Sequence, residues 1–183
     1  MRIITGLLKG RTINIPKTLE VRPTTDRVKE GIFSVIESYR HITGSTILDL
    51  FAGSGNLGFE ALSRGAQTVQ FVDHNRQSVK HIERTAKEFD MSDQIRTVTL
   101  DVKRFLDGPS VPADIIFSDP PYKYPYIEET VEMILANGWL QSGGWLVLEH
   151  SKYLDFSGHV HCLKVKKYGR TYVSFFSDEP VNK

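Results

Sequence analysis

The chain is 183 residues long, 40% apolar and 25% charged, with no repeat and no low-complexity tract, which fits one soluble globular domain. No apolar run nears the roughly 20 residues of a membrane span, and the apolar part of "MRIITGLLKGR" is too short for a secretory signal. Net charge is only +1, but it is unevenly placed. Residues 1–22 hold Arg2, Lys9, Arg11, Lys17 and Arg22 against Glu20 alone, and "LKVKKYGR" adds Lys164, Lys166, Lys167 and Arg170 without an acid. Two basic ends on a near-neutral chain point either to a polyanion partner, with these side chains as RNA-binding candidates, or to solvated faces. The single cysteine, Cys162, excludes an internal disulfide and fits a reducing cytoplasm.

In chain order, "RIITGLLKGRTINIP" has two β-rich runs around Gly6 and Gly10 and predicts a short hairpin. "RPTTDRVKEGIFSVIESY" predicts a helix capped by Thr24 or Thr25, with Val28, Ile32, Val35 and Ile36 on its apolar face. Strand and helix then alternate. "TILDLF", "TVQFVD", "IRTVTL", "ADIIFSD" and "GWLVLEH" read as strands; "NLGFEALSRG", "NRQSVKHIERTAKEF", "VKRFL" and "YIEETVEMILANG" read as helices. "HVHCLKVKKY" and "TYVSFF" flank Gly169 as a closing hairpin. The pattern predicts an α/β, Rossmann-like, doubly wound and mostly parallel sheet with an antiparallel C-terminal edge. With no linker in view, residues 1–183 are read as one domain: an appendage at 1–44, a βα core at 45–150 and a hairpin region at 151–183.

In such sheets, ligands bind outside the carboxyl ends of the strands. The first of these turns is "DLFAGSGNLG", where Gly53, Gly55 and Gly58 allow a tight turn and close approach of a ligand at a helix N-terminus. Phe51 lies in the same turn, and Asp73 ends the second strand, where an acid can accept both ribose hydroxyls. An adenosine-bearing cofactor is therefore expected. Asp49 selects among such cofactors, because a carboxylate here repels a pyrophosphate and attracts the sulfonium and ammonium of S-adenosylmethionine. Its other reading is a structural one, in which it bonds the amides of the loop. Asp101, at the end of the third strand, either accepts from the adenine amino group or caps the helix "VKRFL".

The fourth strand ends in "DPPY", Asp119 to Tyr122. Pro120 and Pro121 fix φ and remove two backbone donors, leaving a rigid turn rich in acceptors. Asp119 adds a carboxylate. The set suits a planar amino group with two N–H donors, such as the exocyclic amine of a base, and Tyr122 offers a stacking face. Methylation at a pyrimidine carbon would need a cysteine nucleophile beside the donor, and Cys162 lies in the late hairpin instead. Nothing gives structural-zinc spacing, so no metal is expected.

With both turns in hand, the chain resembles the DPPY-type class I methyltransferases, and among them the bacterial 16S ribosomal RNA guanine-N2 methyltransferase family called RsmD. "RPTTDRVKEGIF", "DLFAGSGNLGFEALSRGA" and "DPPY" carry the resemblance. It implies a monomeric cytoplasmic enzyme that uses S-adenosylmethionine to methylate a guanine amine in small-subunit RNA during assembly. Gly53 and Gly55 then match the family's cofactor turn, Asp73 its ribose acid, and Asp119 through Tyr122 its catalytic turn. Thr5 stands where the family pattern has a glycine, and Asn56 where it has a small residue. Arg22, Thr24, Thr25 and Arg27 of "RPTTDR" either bind the cofactor carboxylate or a substrate phosphate, or simply cap a helix. Two other activities use parts of the same pattern: amino methylation of adenine or cytosine in DNA or another RNA, and nicotinamide-dependent oxidoreduction.

Overall fold

In a computed structural model, residues 1–16, 19 and 25–181 are described. Five parallel strands, β1 (Thr46–Leu50), β2 (Thr68–Asp73), β3 (Ile95–Thr99), β4 (Ala113–Ser118) and β5 (Leu140–His150), join an antiparallel pair, β6 (Cys162–Tyr168) and β7 (Thr171–Ser177). The order across the sheet is β3-β2-β1-β4-β5-β7-β6. Chain order reverses between β1 and β4, which opens a crevice at their carboxyl ends. Helices α1 (Asp26–Glu37), α2 (Asn56–Ser63), α3 (Arg76–Glu88), α4 (Val102–Leu106) and α5 (Ile127–Ala136) complete the fold.

The period of two along each strand sorts the core into two layers. Ile47, Val69, Phe71, Ile115, Phe117 and Val147 face one apolar cluster with α1 and α2; Leu48, Leu50, Val72, Ile116, Leu146 and Leu148 face the other with α4 and α5. Strands buried on both faces read as unbroken apolar runs, as the sequence shows.

The N-terminal hairpin expected from the sequence forms in short: Arg2 bridges Thr12 antiparallel, Ile3 N–H donates to the Arg11 carbonyl at 2.9 Å and Ile13 N–H to the Met1 carbonyl at 2.7 Å. The N–H groups of its loop bond α2. Leu7 N–H donates to Ser63 O at 2.8 Å, while Ile4 and Thr5 N–H donate to the Glu60 carboxylate at 2.8 and 3.1 Å. Gly6 (φ +87°) sits so close to α2 that a Cβ would lie 1.7 Å from Ser63 O, so the left-handed turn and the close approach both fall on the residue that has no side chain.

Glu60 is also the centre of a buried charge network. Lys29 Nζ lies 3.2 Å from Glu60 Oε2, 2.8 Å from Asn56 Oδ1 and 2.6 Å from the Arg2 carbonyl, and Arg64 reaches Glu60 at 2.9 Å. Lys29 and Glu60 are fully buried. The helical pattern of α1 marks an apolar face but not this lysine, which is buried only because α2 brings an acid to meet it.

Candidate active site

The parity that builds the core also aims three acids. Asp49 follows Ile47 on β1, Asp73 follows Val69 and Phe71 on β2, and Asp119 follows Ile115 and Phe117 just beyond β4, each two positions on. All three therefore continue the face turned toward α2, where the apolar layer ends and a cavity of about 270 Å³ begins. Asp49, Asp73, Asp119, Phe51, Gly53, Pro120 and Pro121 line it, together with Ser54, Asn56, His74, Asn75 and Ser78, and among the described residues no Lys or Arg does.

Asp49 is buried and accepts from Gly58 N–H at 2.9 Å. Burial pushes its carboxyl well above the usual carboxylate range, against the pull of that N–H, and the nearby Asp119 and Asp73 carboxylates add to the rise. Asp49 thus ties down the start of α2, as its structural reading expects, and it also lines the cavity. Gly58 cannot carry a side chain, since a Cβ would lie 2.2 Å from the Phe71 ring. Asp73 holds the glycine turn, accepting from Gly53 N–H at 2.7 Å and Asn75 N–H at 2.8 Å. Gly53 (φ +55°) and Gly55 (φ +75°) take the left-handed conformation that this turn requires, and so does Phe51 (φ +55°), where a side chain makes it costly. Gly55 is the N-cap of α2 and supports the turn from behind.

The DPPY turn closes the other wall. Tyr124 N–H donates to the Pro121 carbonyl at 2.8 Å, so the turn consumes one of the acceptors expected to be open and leaves the Pro120 carbonyl beside Asp119. Phe51 and the Tyr124 ring meet edge to face at 4.8 Å, joining the two turns. Tyr122 does not line this cavity. It is half exposed and lines a second one on the far side of the turn, with Lys167 and Arg170.

Other candidates fall elsewhere. Asp101 is outside the cavity lining and caps α4, accepting from Arg104 N–H at 3.2 Å. Thr25 caps α1 through Val28 N–H, and Arg27 is exposed in its first turn; Arg22 and Thr24 lie outside the described residues. Arg2 pairs with Asp26 at 2.8 Å. Arg11 lies over the Phe89 ring at 4.7 Å and donates to the Glu88 carbonyl, so it fastens the N-terminal segment to the end of α3. Lys9 and Lys166 are exposed and outside both cavities. The lining residues Asn75 and Ser78 were missed by motif reading; the signal for them is their place at the cap and first turn of the helix after Asp73. Asn56 lines the cavity while holding Lys29, which gives this departure from the family pattern a place in the fold.

Among the described residues no group of three His, Cys, Asp or Glu side chains is placed to hold a metal, and no helix is long and apolar enough to cross a membrane.

Comparison with known proteins agrees with this architecture. The family described as conserved hypothetical protein 95 matches residues 1–177. The ribosomal RNA small subunit methyltransferase D of Escherichia coli K12 is 36% identical over 153 residues, covering 81% of this chain and 74% of that protein. The protein of the same name from Haemophilus influenzae is 34% identical over 155 residues, covering 83% and 79%. A solved structure of yhhF from Escherichia coli superposes with a TM-score of 0.86 at 30% identity, over 99% of both chains. The chain thus belongs to the conserved hypothetical protein 95 family, that of the RsmD-like methyltransferases.

Proposed function

We propose that the protein methylates the exocyclic N2 amine of a guanine in 16S ribosomal RNA during small-subunit assembly, acting as a cytoplasmic monomer with S-adenosylmethionine. One observation carries this reading: a cavity walled by Asp49, Asp73 and Asp119, with no Lys or Arg among the described residues that line it, opens directly onto the DPPY turn. The donor set fits the cofactor. An acid wall attracts a sulfonium and an ammonium and repels a pyrophosphate, which disfavours a nicotinamide dinucleotide. Asp73, which lines the cavity, accepts the ribose hydroxyls in this reading, and the Gly53–Gly55 turn lets a ligand approach the backbone. When bound, S-adenosylmethionine supplies an electrophilic methyl group.

The protein's own residues supply the rest. Asp119 and the Pro120 carbonyl accept the two N–H groups of the amine, which holds the nitrogen toward tetrahedral geometry and turns its lone pair into the cavity. No strong base is needed, because the amine proton becomes acidic only as the new bond forms, with Asp119 beside it. Tyr122 presents a ring face for the base.

The test is transfer of labelled methyl to small subunits and to naked RNA from cells that lack this protein, followed by nucleoside analysis. Label in N2-methylguanosine of 16S RNA is the expected result. Label in a methylated adenine or cytosine would reassign the base, and no label in any RNA would end the RNA reading.

Asp49→Asn provides a test of the acid wall. The raised carboxyl makes ionisation oppose folding, so its stability contribution is full below the ordinary carboxylate value and declines as pH rises through the raised one. The Asn oxygen can still accept from Gly58 N–H. Unfolding temperature should therefore rise relative to wild type, and the gap should widen between pH 4 and pH 8. S-adenosylmethionine affinity should fall about tenfold, since a charge-assisted partner is gone. Equal melting at both pH values together with unchanged calorimetric affinity would remove Asp49 from this role.

A further inference from the structure

The DPPY turn has two sides, and the second is built differently from the first. Pro120 and Pro121 line the cofactor cavity, while the next residue, Tyr122, lines a larger groove of about 540 Å³. The other walls come from the segment after β5, with Lys152 and Tyr153, and from the β6–β7 hairpin, with Lys167, Arg170 and Tyr172. Among the described residues three tyrosines and three cations line it, and no acid does. The acid-walled cavity and the basic groove thus meet at one turn.

Two features of this groove are unlike a merely solvated surface. Tyr153 is 84% exposed and Tyr122 50%, so two large rings stand open to water at the groove. Two of the three cations stand over ring faces, Lys152 5.2 Å from the Tyr153 centroid and Lys167 5.6 Å from that of Tyr172. The hairpin turn is also tight: Tyr168 pairs with Thr171, and Gly169 at φ +64° allows a two-residue loop that brings Arg170 to the groove.

We infer that this groove is a track for single-stranded RNA, holding the unpaired nucleotides beside the target base while that base enters at the turn. Successive bases stack on aromatic faces whatever their sequence, and cations follow the phosphates; both kinds of group are needed and both are present. A duplex hides its base faces, so the tyrosines select against it. The inference rests on the RNA reading above but adds a ligand class and three residues, Lys152, Tyr153 and Tyr172, that no motif assigns.

The test uses fluorescence anisotropy of the full chain with a labelled mixed-sequence RNA decamer and with a duplex RNA hairpin. Wild type should bind the single strand more tightly than the duplex. Tyr153→Ala and Arg170→Glu should each weaken single-strand binding about tenfold, the scale of one lost stacked base. Tyr153→Phe should bind as wild type does because the ring face survives. In methyl transfer the same two variants should raise KM for RNA more than they lower kcat, with calorimetric cofactor affinity unchanged. Undiminished single-strand affinity in both variants, or equal binding of the duplex, would overturn the track. So would loss of transfer on assembled subunits with normal transfer to naked RNA, which would mean that the groove meets a protein. Absence of any methyl transfer to RNA by wild type would instead overturn the RNA methylation reading, and the binding assay would still decide the track.

Discussion

Asp119→Ala should leave S-adenosylmethionine affinity within a few-fold of wild type and reduce methyl transfer by about a hundredfold or more. Asp119 lines the cavity at its junction with the turn, yet the cofactor retains Asp49, Asp73 and the glycine turn. The amine has no such reserve. Tyr124 N–H already occupies the Pro121 carbonyl, so only the Pro120 carbonyl remains to hold the nitrogen once the carboxylate is gone. One acceptor fixes a hydrogen and leaves the lone-pair direction free to rotate. Asp119→Asn should fall between alanine and wild type if its amide oxygen faces the amine. Single-turnover rates with saturating cofactor are the measurement, and a near-normal Asp119→Ala rate would abolish the amine clamp.

Lys29→Met should cost about 3–5 kcal/mol of stability, by removing one of the two cations that meet a buried acid. At this chain length that corresponds to a drop of roughly 6–20 °C in unfolding temperature. The ammonium donates to the Arg2 carbonyl and Asn56 Oδ1 as well as meeting Glu60, so its loss loosens the N-terminal segment, α1 and α2 together. Burial alone lowers the lysine's affinity for its proton, and Glu60 is what opposes that. Adding Glu60→Gln to Lys29→Met should therefore recover part of the loss, because the stranded charge goes with it. Denaturant unfolding of both single variants and the double variant measures the coupling. Strictly additive losses would show that the two side chains do not act as a pair. Asn56 lines the cavity, so Lys29→Met should also weaken cofactor binding, whereas Lys29 itself never reaches the cavity.

Every strand and helix of the βα core could be read from the sequence, because strand parity, helix period and glycine placement are local properties. The seven-stranded sheet, the glycine turn at Gly53 and Gly55, and the Asp-Pro-Pro-Tyr turn each follow from spacing within a few residues. The convergence of Asp49, Asp73 and Asp119 was nearly legible too, since each acid keeps the parity of its strand; what parity cannot say is that β1 lies between β2 and β4, which brings the three together. Partnership across the fold was beyond local reading. The basic N-terminal end looked uniform in sequence, yet Arg2 pairs with Asp26 and Arg11 bonds the end of α3, while Lys167 and Arg170 come beside Tyr122 only because β7 pairs with β5. The hairpin expected around Gly6 does form, but its loop is seated on α2 by partners that local reading does not show: Glu60 and Ser63, more than fifty residues on, accept from the N–H groups of Ile4, Thr5 and Leu8. Spacing along the chain determines which conformation each segment can take, and only tertiary packing decides which polar groups must find one another when water is excluded.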